Sequence, residues 1–302
     1  MAAATKAPFH RVAILGTGLI GGSFGLAVRR VSKRAHVVGW DREHALREAE
    51  RAGAIHEGMA ELGGAVAGAD LVYVALPVGL TLELLPEIAR RAEPHALVTD
   101  ACSTKKAVCR AAAKHFQEGA ARFLGGHPMT GKEVAGVAHA DGELFRGAKY
   151  ALIGEASERS TSEAGSAGEQ DARVAGFVAL VESLGAQPRW LDAETHDWAV
   201  AIVSHLPQLV SVALAGVVRD EMDETGLPVT LAGPGLRDTL RLAGSSYEIW
   251  RDIGLTNTDN IARALDRVAQ AIEHLRTRLS SRELESEFAA ANELYKILQD
   301  LQ

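Results

Sequence analysis

The sequence predicts a doubly wound α/β domain with a mainly parallel sheet, followed by an all-α domain. Three observations carry that prediction. Short apolar runs alternate with amphipathic helical patterns through the first two-thirds of the chain. A Gly-x-Gly-x-x-Gly segment, Gly16 to Gly21, lies between the first apolar run and the first helical pattern. Beyond Asp192 the apolar runs stop and long helical patterns take over.

The apolar runs fall at 12–15, 37–40, 71–76, 97–99, 123–124 and 150–153. Continuous apolar strands suit a sheet covered on both faces. Helical patterns at 45–52, 80–89 and 105–116 supply those covers. Residues 155–169 carry Ser, Gly, Ala and Glu with no large apolar side chain, and read as a surface loop. A helix at 172–184 and a strand at 188–191 complete a first domain, 1–191. The second domain, 192–302, holds helices at 194–203, 208–221, 258–280 and 282–302, and Pro207 separates the first two. Their apolar faces call for a partner surface.

Composition narrows the function classes. Hydrophobic residues make up 47% and charged residues 24% of 302 residues, ordinary for a globular chain. Net charge is −7, with no basic stripe, which argues against nucleic acid. No uninterrupted apolar run reaches the roughly 18 residues of a membrane helix, so no membrane association is expected. The first apolar stretch is broken by glycines and is no signal-peptide core. Cys102 and Cys109 have neither metal-ligand nor redox-motif spacing, so no metal is expected and a reducing cytoplasm is the default. Glycine, at 30 residues, is in surplus and belongs in turns and close approaches.

The fingerprint gives the first domain its ligand. Gly16 permits the tight turn, Gly18 lets the backbone approach a pyrophosphate, and Gly21 lets helix and strand pack. The helix N-terminus, with Leu19 and Ile20, offers free N–H groups to phosphates. This is the Rossmann pattern. Asp41 ends the second strand, 20 residues after Gly21, where an acid meets an adenosine ribose 2′-OH. That favours NAD over NADP, although the adjacent Arg42 offers a guanidinium to a 2′-phosphate. Leu76 and Pro77, at the end of the third apolar run, are placed at the cofactor as well.

Catalytic candidates lie at the carboxyl ends of later strands, where open parallel sheets bind ligands. Ser103, in the run Asp100 to Lys105, has two open readings, helix cap or site residue. His127, in Gly125 to Gly131, follows the next strand, and a neutral imidazole there accepts a proton near pH 7. Ser204, His205 and Gln208 flank Pro207; His205 reads equally as structural or functional. His196 and His205, nine apart, lack metal-site spacing. Arg237 and Arg241 are four apart on one helical face and suit a carboxylate, or else a surface salt-bridge network.

Taken together, these segments resemble the prephenate/arogenate dehydrogenase family of tyrosine biosynthesis. The resemblance covers residues 11–257 through ordered motifs at 16–21, 100–105, 127–131, 196–207 and 235–252, with Asn257 beyond. It implies a Rossmann domain followed by a helical domain that forms a homodimer. It implies oxidative decarboxylation of a ring that becomes aromatic. His127 then takes the ring hydroxyl's proton, and Ser103 bonds that hydroxyl and orients His127. Arg241 binds a substrate carboxylate, Ser204 and His205 line the pocket, and Trp250 shapes its wall. Gln208 stands where many members carry a second histidine, a position that bears on substrate choice and tyrosine inhibition. Prephenate and arogenate (or dual cyclohexadienyl) activity therefore both stay open, with prephenate favoured as the commoner bacterial activity. The length is expected to leave no room for a fused mutase or regulatory domain, so feedback would act near the active site.

Two other readings share the fold. Hydroxy-acid, imino-acid and ketopantoate dehydrogenases would place a lysine in the second domain's active helix, yet no lysine lies between Lys149 and Lys296. A non-catalytic NAD-responsive module would bind NAD without turnover.

Overall fold

The computed structural model describes residues 9–117, 120–132, 134–154, 171–222, 224–281 and 283–300. The predicted loop at 155–169 lies outside the described residues. Strands β1 (Arg11–Leu15), β2 (His36–Trp40), β3 (Glu57–Met59), β4 (Leu71–Val74), β5 (Leu97–Asp100), β6 (Arg122–Pro128), β7 (Lys149–Ile153) and β8 (Gln187–Leu191) form one sheet. Their order is β3-β2-β1-β4-β5-β6-β7-β8, and among the described residues β6–β7 is the one antiparallel pairing. Helices α1 (Leu19–Val31), α2 (Glu43–Arg51), α3 (Leu62–Val66), α4 (Val78–Arg91), α5 (Lys106–His115) and α6 (Ala172–Ser183) alternate with them.

The strands read as apolar runs because both faces are covered. Ile14, Phe24, Tyr73, Tyr150 and Phe177 fill one side; Leu15, Val38, Val72, Ile88 and Val98 fill the other. β3 escapes the sequence reading because three residues, Glu-Gly-Met, carry no apolar pattern. The chain order reverses between β1 and β4. That switch point opens a crevice beyond the carboxyl ends of the strands.

After β8 the described chain is helical. α7 (Ala193–Val200), a π-turn at Ala201–His205 and α8 (Leu206–Asp220) run as one 28-residue helix. The expected break at Pro207 is absent. Proline lacks an N–H and its ring crowds the carbonyl four residues back. The wider π-turn just upstream relieves that conflict and lets the helix continue. The join also corrects the membrane argument: Ala193–Asp220 is long and apolar enough, by length and composition, to cross a bilayer.

α9 (Leu227–Thr230), α10 (Pro234–Leu240), a 3-10 turn (Arg241–Gly244), α11 (Tyr247–Thr256), α12 (Thr258–Arg278) and α13 (Leu284–Asp300) follow. The α-helix bearing Arg237 ends at Leu240, and Arg241 opens the tighter turn. The two arginines therefore do not share one continuous α-helical face, as the four-residue spacing predicts.

Candidate active site

The glycine turn has the shape a dinucleotide needs. Gly16 sits at φ +92°, and a Cβ there would lie 2.4 Å from the Ala75 carbonyl oxygen. A Cβ on Gly21 would lie 1.8 Å from the Gly16 carbonyl oxygen, so helix and turn touch. Gly18 differs: a Cβ there would meet nothing within 4 Å. Its surroundings are open at the point where a pyrophosphate would approach. Gly18 caps α1 without a side-chain bond, and the first-turn amides, including those of Leu19 and Ile20, have no partner within the helix. These residues fit NAD.

Asp41 follows β2 and lies against the turn; its Oδ2 accepts from the Thr17 amide at 2.7 Å. Arg42 is exposed beside it as the residue before α2. On the other side, Leu76 packs at the Gly16 turn and Pro77 caps α4. The first turn of α4 is held from the helical half: the Gly79 amide donates to Asp252 Oδ2 at 2.8 Å.

His127 lies on β6, paired across to Ala151 of β7. Its Nδ1 is 2.9 Å from His196 Nε2, and His196 Nδ1 is 2.8 Å from Asp197 Oδ1. Asp197 also accepts from the amides of Lys105 (2.7 Å) and Lys106 (2.9 Å), capping α5. β6 and α7 thus meet at one histidine pair. Beneath it, buried Lys105 pairs with Asp100 and donates to the Gly126 carbonyl at 2.6 Å. Asp100 in turn accepts from the Gly126 and Cys102 amides. The carbonyl and amide immediately before His127 are therefore clamped by a buried ion pair.

Burial sets the charge states. It pushes His127 well below the usual imidazole range, and the neighbouring charges of His196, Lys105 and His205 add to that. His196 is lowered, by burial first, although Asp197 opposes it. Burial takes His205 down to about 4, against the pull of Asp197. Burial would raise Asp197, yet its bonds to His196, Lys105 and Lys106 win and lower it. Burial would lower Lys105, but Asp100 outweighs it and keeps the ammonium charged. The site at pH 7 therefore holds neutral imidazoles beside an ionised carboxylate.

The helical half supplies the wall. The π-turn carries half-buried Ser204 and buried His205. His205 stands edge-on to Trp250, with ring centroids 5.8 Å apart. Asn257 Nδ2 donates to the Asp197 carbonyl at 2.7 Å and reaches His205 Nδ1 at 3.3 Å. Buried Gln208 donates to the Leu242 carbonyl at 2.8 Å, fixing the turn that begins with Arg241. Arg241 and Arg237 are both exposed.

Ser103 lies on the β5–α5 turn, one residue before Thr104, whose hydroxyl is 2.7 Å from that of Thr256. Among the described residues no side-chain bond joins Ser103 to His127; the side chain that contacts His127 is His196. Ser103 does not cap α5 with its side chain either, since Asp197 does. The sequence reading missed His196, Asp197 and Lys105 as site residues. The signal lay in buried charge: an Asp and a Lys within predicted core-edge segments require partners.

Residues 24–163 match the model of the prephenate dehydrogenase nucleotide-binding domain, and residues 192–299 match that of the prephenate dehydrogenase dimerization domain. A prephenate dehydrogenase of Lactococcus lactis is 32% identical over 280 residues, covering 87% of this chain and 74% of that protein. The crystal structure of Aquifex aeolicus prephenate dehydrogenase with hydroxyphenyl propionate and NAD+ superposes with TM-score 0.79 at 26% identity, covering 99% of each chain. Synechocystis arogenate dehydrogenase superposes with TM-score 0.74 at 26% identity, over 97% of this chain and all of that one. Both domains match in order, and the histidine site lies where they meet; the chain is a dehydrogenase and belongs to the prephenate dehydrogenase family.

Proposed function

We propose that the chain catalyses NAD-dependent oxidative decarboxylation of prephenate to 4-hydroxyphenylpyruvate. The observation that carries this reading is His127: a half-buried, neutral imidazole at the sheet's carboxyl edge, between the cofactor turn and the helical wall. The chemistry needs a base for one hydroxyl proton. Bound NAD supplies the hydride acceptor, and the Aquifex relative's complex with NAD+ supports that choice. Asp41 at the ribose position supports it too.

His127 takes the ring hydroxyl's proton, which raises electron density on that oxygen and weakens the C–H bond on the same carbon. The ring carboxylate leaves as CO₂, and its bonding pair completes the aromatic ring. Trp250 and His205 hold the ring's position, which supplies much of the rate through alignment. Arg241 gives a guanidinium to a substrate carboxylate, with Arg237 beside it on the rim. Ser204 and Ser103 offer hydroxyls to the bound ring, and Gln208 fixes the Arg241 turn.

The assay is NADH formation with prephenate, then with arogenate. Turnover with prephenate is expected; silence with both overturns the reading, and turnover with arogenate alone reassigns the substrate. His127→Ala should lose about 10²–10⁴-fold in kcat, the usual worth of a positioned base, while calorimetry still shows NAD binding.

A further inference from the structure

We propose that His196, Asp197 and Asn257 are positioning residues that write opposite tautomers onto the two active-site histidines, making His127 Nε2 an acceptor and His205 Nε2–H a donor. This deepens the reaction proposed above and rests on it for its catalytic consequence.

Each step is forced by donor and acceptor inventory. Asp197 receives the amides of Lys105 and Lys106, so its carboxylate accepts. A carboxylate carries no proton, so His196 Nδ1 must be the donor in the 2.8 Å contact. A neutral His196 then has a bare Nε2. The 2.9 Å contact to His127 therefore runs from His127 Nδ1–H to His196 Nε2. That leaves His127 Nε2 with a free lone pair, ready for the hydroxyl proton.

The second branch starts from the same aspartate's backbone. Asn257 Nδ2 donates to the Asp197 carbonyl, and Asn257 Oδ1 accepts from Asn260 at 2.8 Å. Those two partners fix which end of the amide is nitrogen. The Nδ2 group next to His205 is therefore a donor, and His205 Nδ1 accepts at 3.3 Å. His205 carries its proton on Nε2, the polarity that suits a carboxylate or carbonyl oxygen of the substrate.

Once His127 is protonated, its Nδ1–H bond to His196 strengthens, because a charged donor makes the stronger hydrogen bond. His196 and Asp197 thereby stabilise the imidazolium without taking the proton. The charged and titratable groups facing this pair are Lys105, Asp100, Asp197 and His205. Lys105 is neutralised by Asp100, so the carboxylate of Asp197 is left to polarise the pair.

The tautomers are read directly. Nitrogen-15 spectra of histidine-labelled protein, at about pH 8 where these imidazoles are neutral, distinguish protonated from bare ring nitrogens. Nδ1–H with bare Nε2 on His127, and the reverse on His205, is expected. Nε2–H on wild-type His127 overturns the proposal. No substrate is present, so the spectra decide the tautomers whether or not prephenate is turned over; failure of the NADH assay overturns only the reaction.

His196→Phe keeps a ring while removing both nitrogens, and Asp197 keeps two backbone donors. It should lower kcat by roughly 10²-fold or more and leave the NAD dissociation constant unchanged. His196→Gln returns an oxygen acceptor near His127 Nδ1 and should recover part of that loss. Equal kcat in the Phe and Gln variants, or a Phe variant as fast as wild type, overturns the positioning role.

Discussion

Two buried histidines and the half-buried His127 make the site acid-sensitive. His127, His196 and His205 are all held below their ordinary value of 6.5 by burial. The unfolded chain binds protons from about pH 6.5 downward while the folded chain resists, so the unfolded state carries more protons there. Stability is therefore full above that pH and falls as pH drops toward 4. His205 alone, moving from 6.5 to about 4, accounts for roughly 3 kcal/mol at pH 4. Asp171, Asp192, Asp197 and Asp252 are lowered from 3.8 and act only in a more acidic window. Urea unfolding at a series of pH values checks this; a flat profile between about pH 7 and 4.5 contradicts it. At this scale the sequence marked residue types well and partners poorly. His127 was legible because its run follows a strand and carries glycines and a proline. Its partner His196 lies 69 residues away, and Asp197 reaches the Lys105 amide across 92. Such pairings are products of the fold, and no local spacing encodes them. The contact to His127 Nδ1 is made by His196 rather than Ser103 for that reason.

One helix ties the site together. α11 places Trp250 edge-on to His205, Asp252 on the Gly79 amide of the cofactor-side helix, and Thr256 on Thr104 of the Ser103 turn. Asn257, at its end, holds Asp197 and His205. Asp252 is buried and its carboxyl is lowered: burial opposes ionisation, but the Gly79 amide and Arg251 prevail. Asp252→Ala would leave the Gly79 amide without its acceptor, at a cost of about 1–3 kcal/mol. It should also raise the KM for NAD several-fold, because the turn after Leu76 and Pro77 loses its tether. Unfolding and NAD titration read the two effects; an unchanged NAD affinity would show that the turn keeps its shape alone. Element by element, the strands were legible because a sheet covered on both sides needs unbroken apolar runs. Pro207 misled, since a proline in a helical pattern normally ends it, and a π-turn leaves no trace in residue type. α11 was legible only as a tryptophan-containing motif, because few of its residues are buried.

At the scale of the molecule, the two halves bury apolar surface very differently. Among the described residues, the exposed large apolar side chains before residue 192 are Val31, Leu80 and Val134; all others lie in the helical half. α13 buries none of its residues, and α12 buries only Ile261 and Ala264. Leu231, Leu255, Leu279 and Phe288 are each more than two-thirds exposed. Surface of that kind marks an association site. The 28-residue helix could in principle hide its apolar side in lipid. Its polar groups argue otherwise: His196, Asp197, His205, Gln208 and Ser211 are each bonded to protein partners. A second copy of the chain is the expected cover for the remainder, since residues 192–299 match a dimerization domain. Sedimentation in detergent-free buffer should give twice the 32.0 kDa chain mass. Because the unfolded chains separate, the dimer's stability should rise by about 1.4 kcal/mol for each tenfold increase in protein concentration. Phe288→Glu, placing a charge among the exposed apolar side chains of α13, should shift the species toward monomer. A wild-type monomer whose melting temperature ignores concentration, or a chain recovered only with detergent, would contradict this assembly.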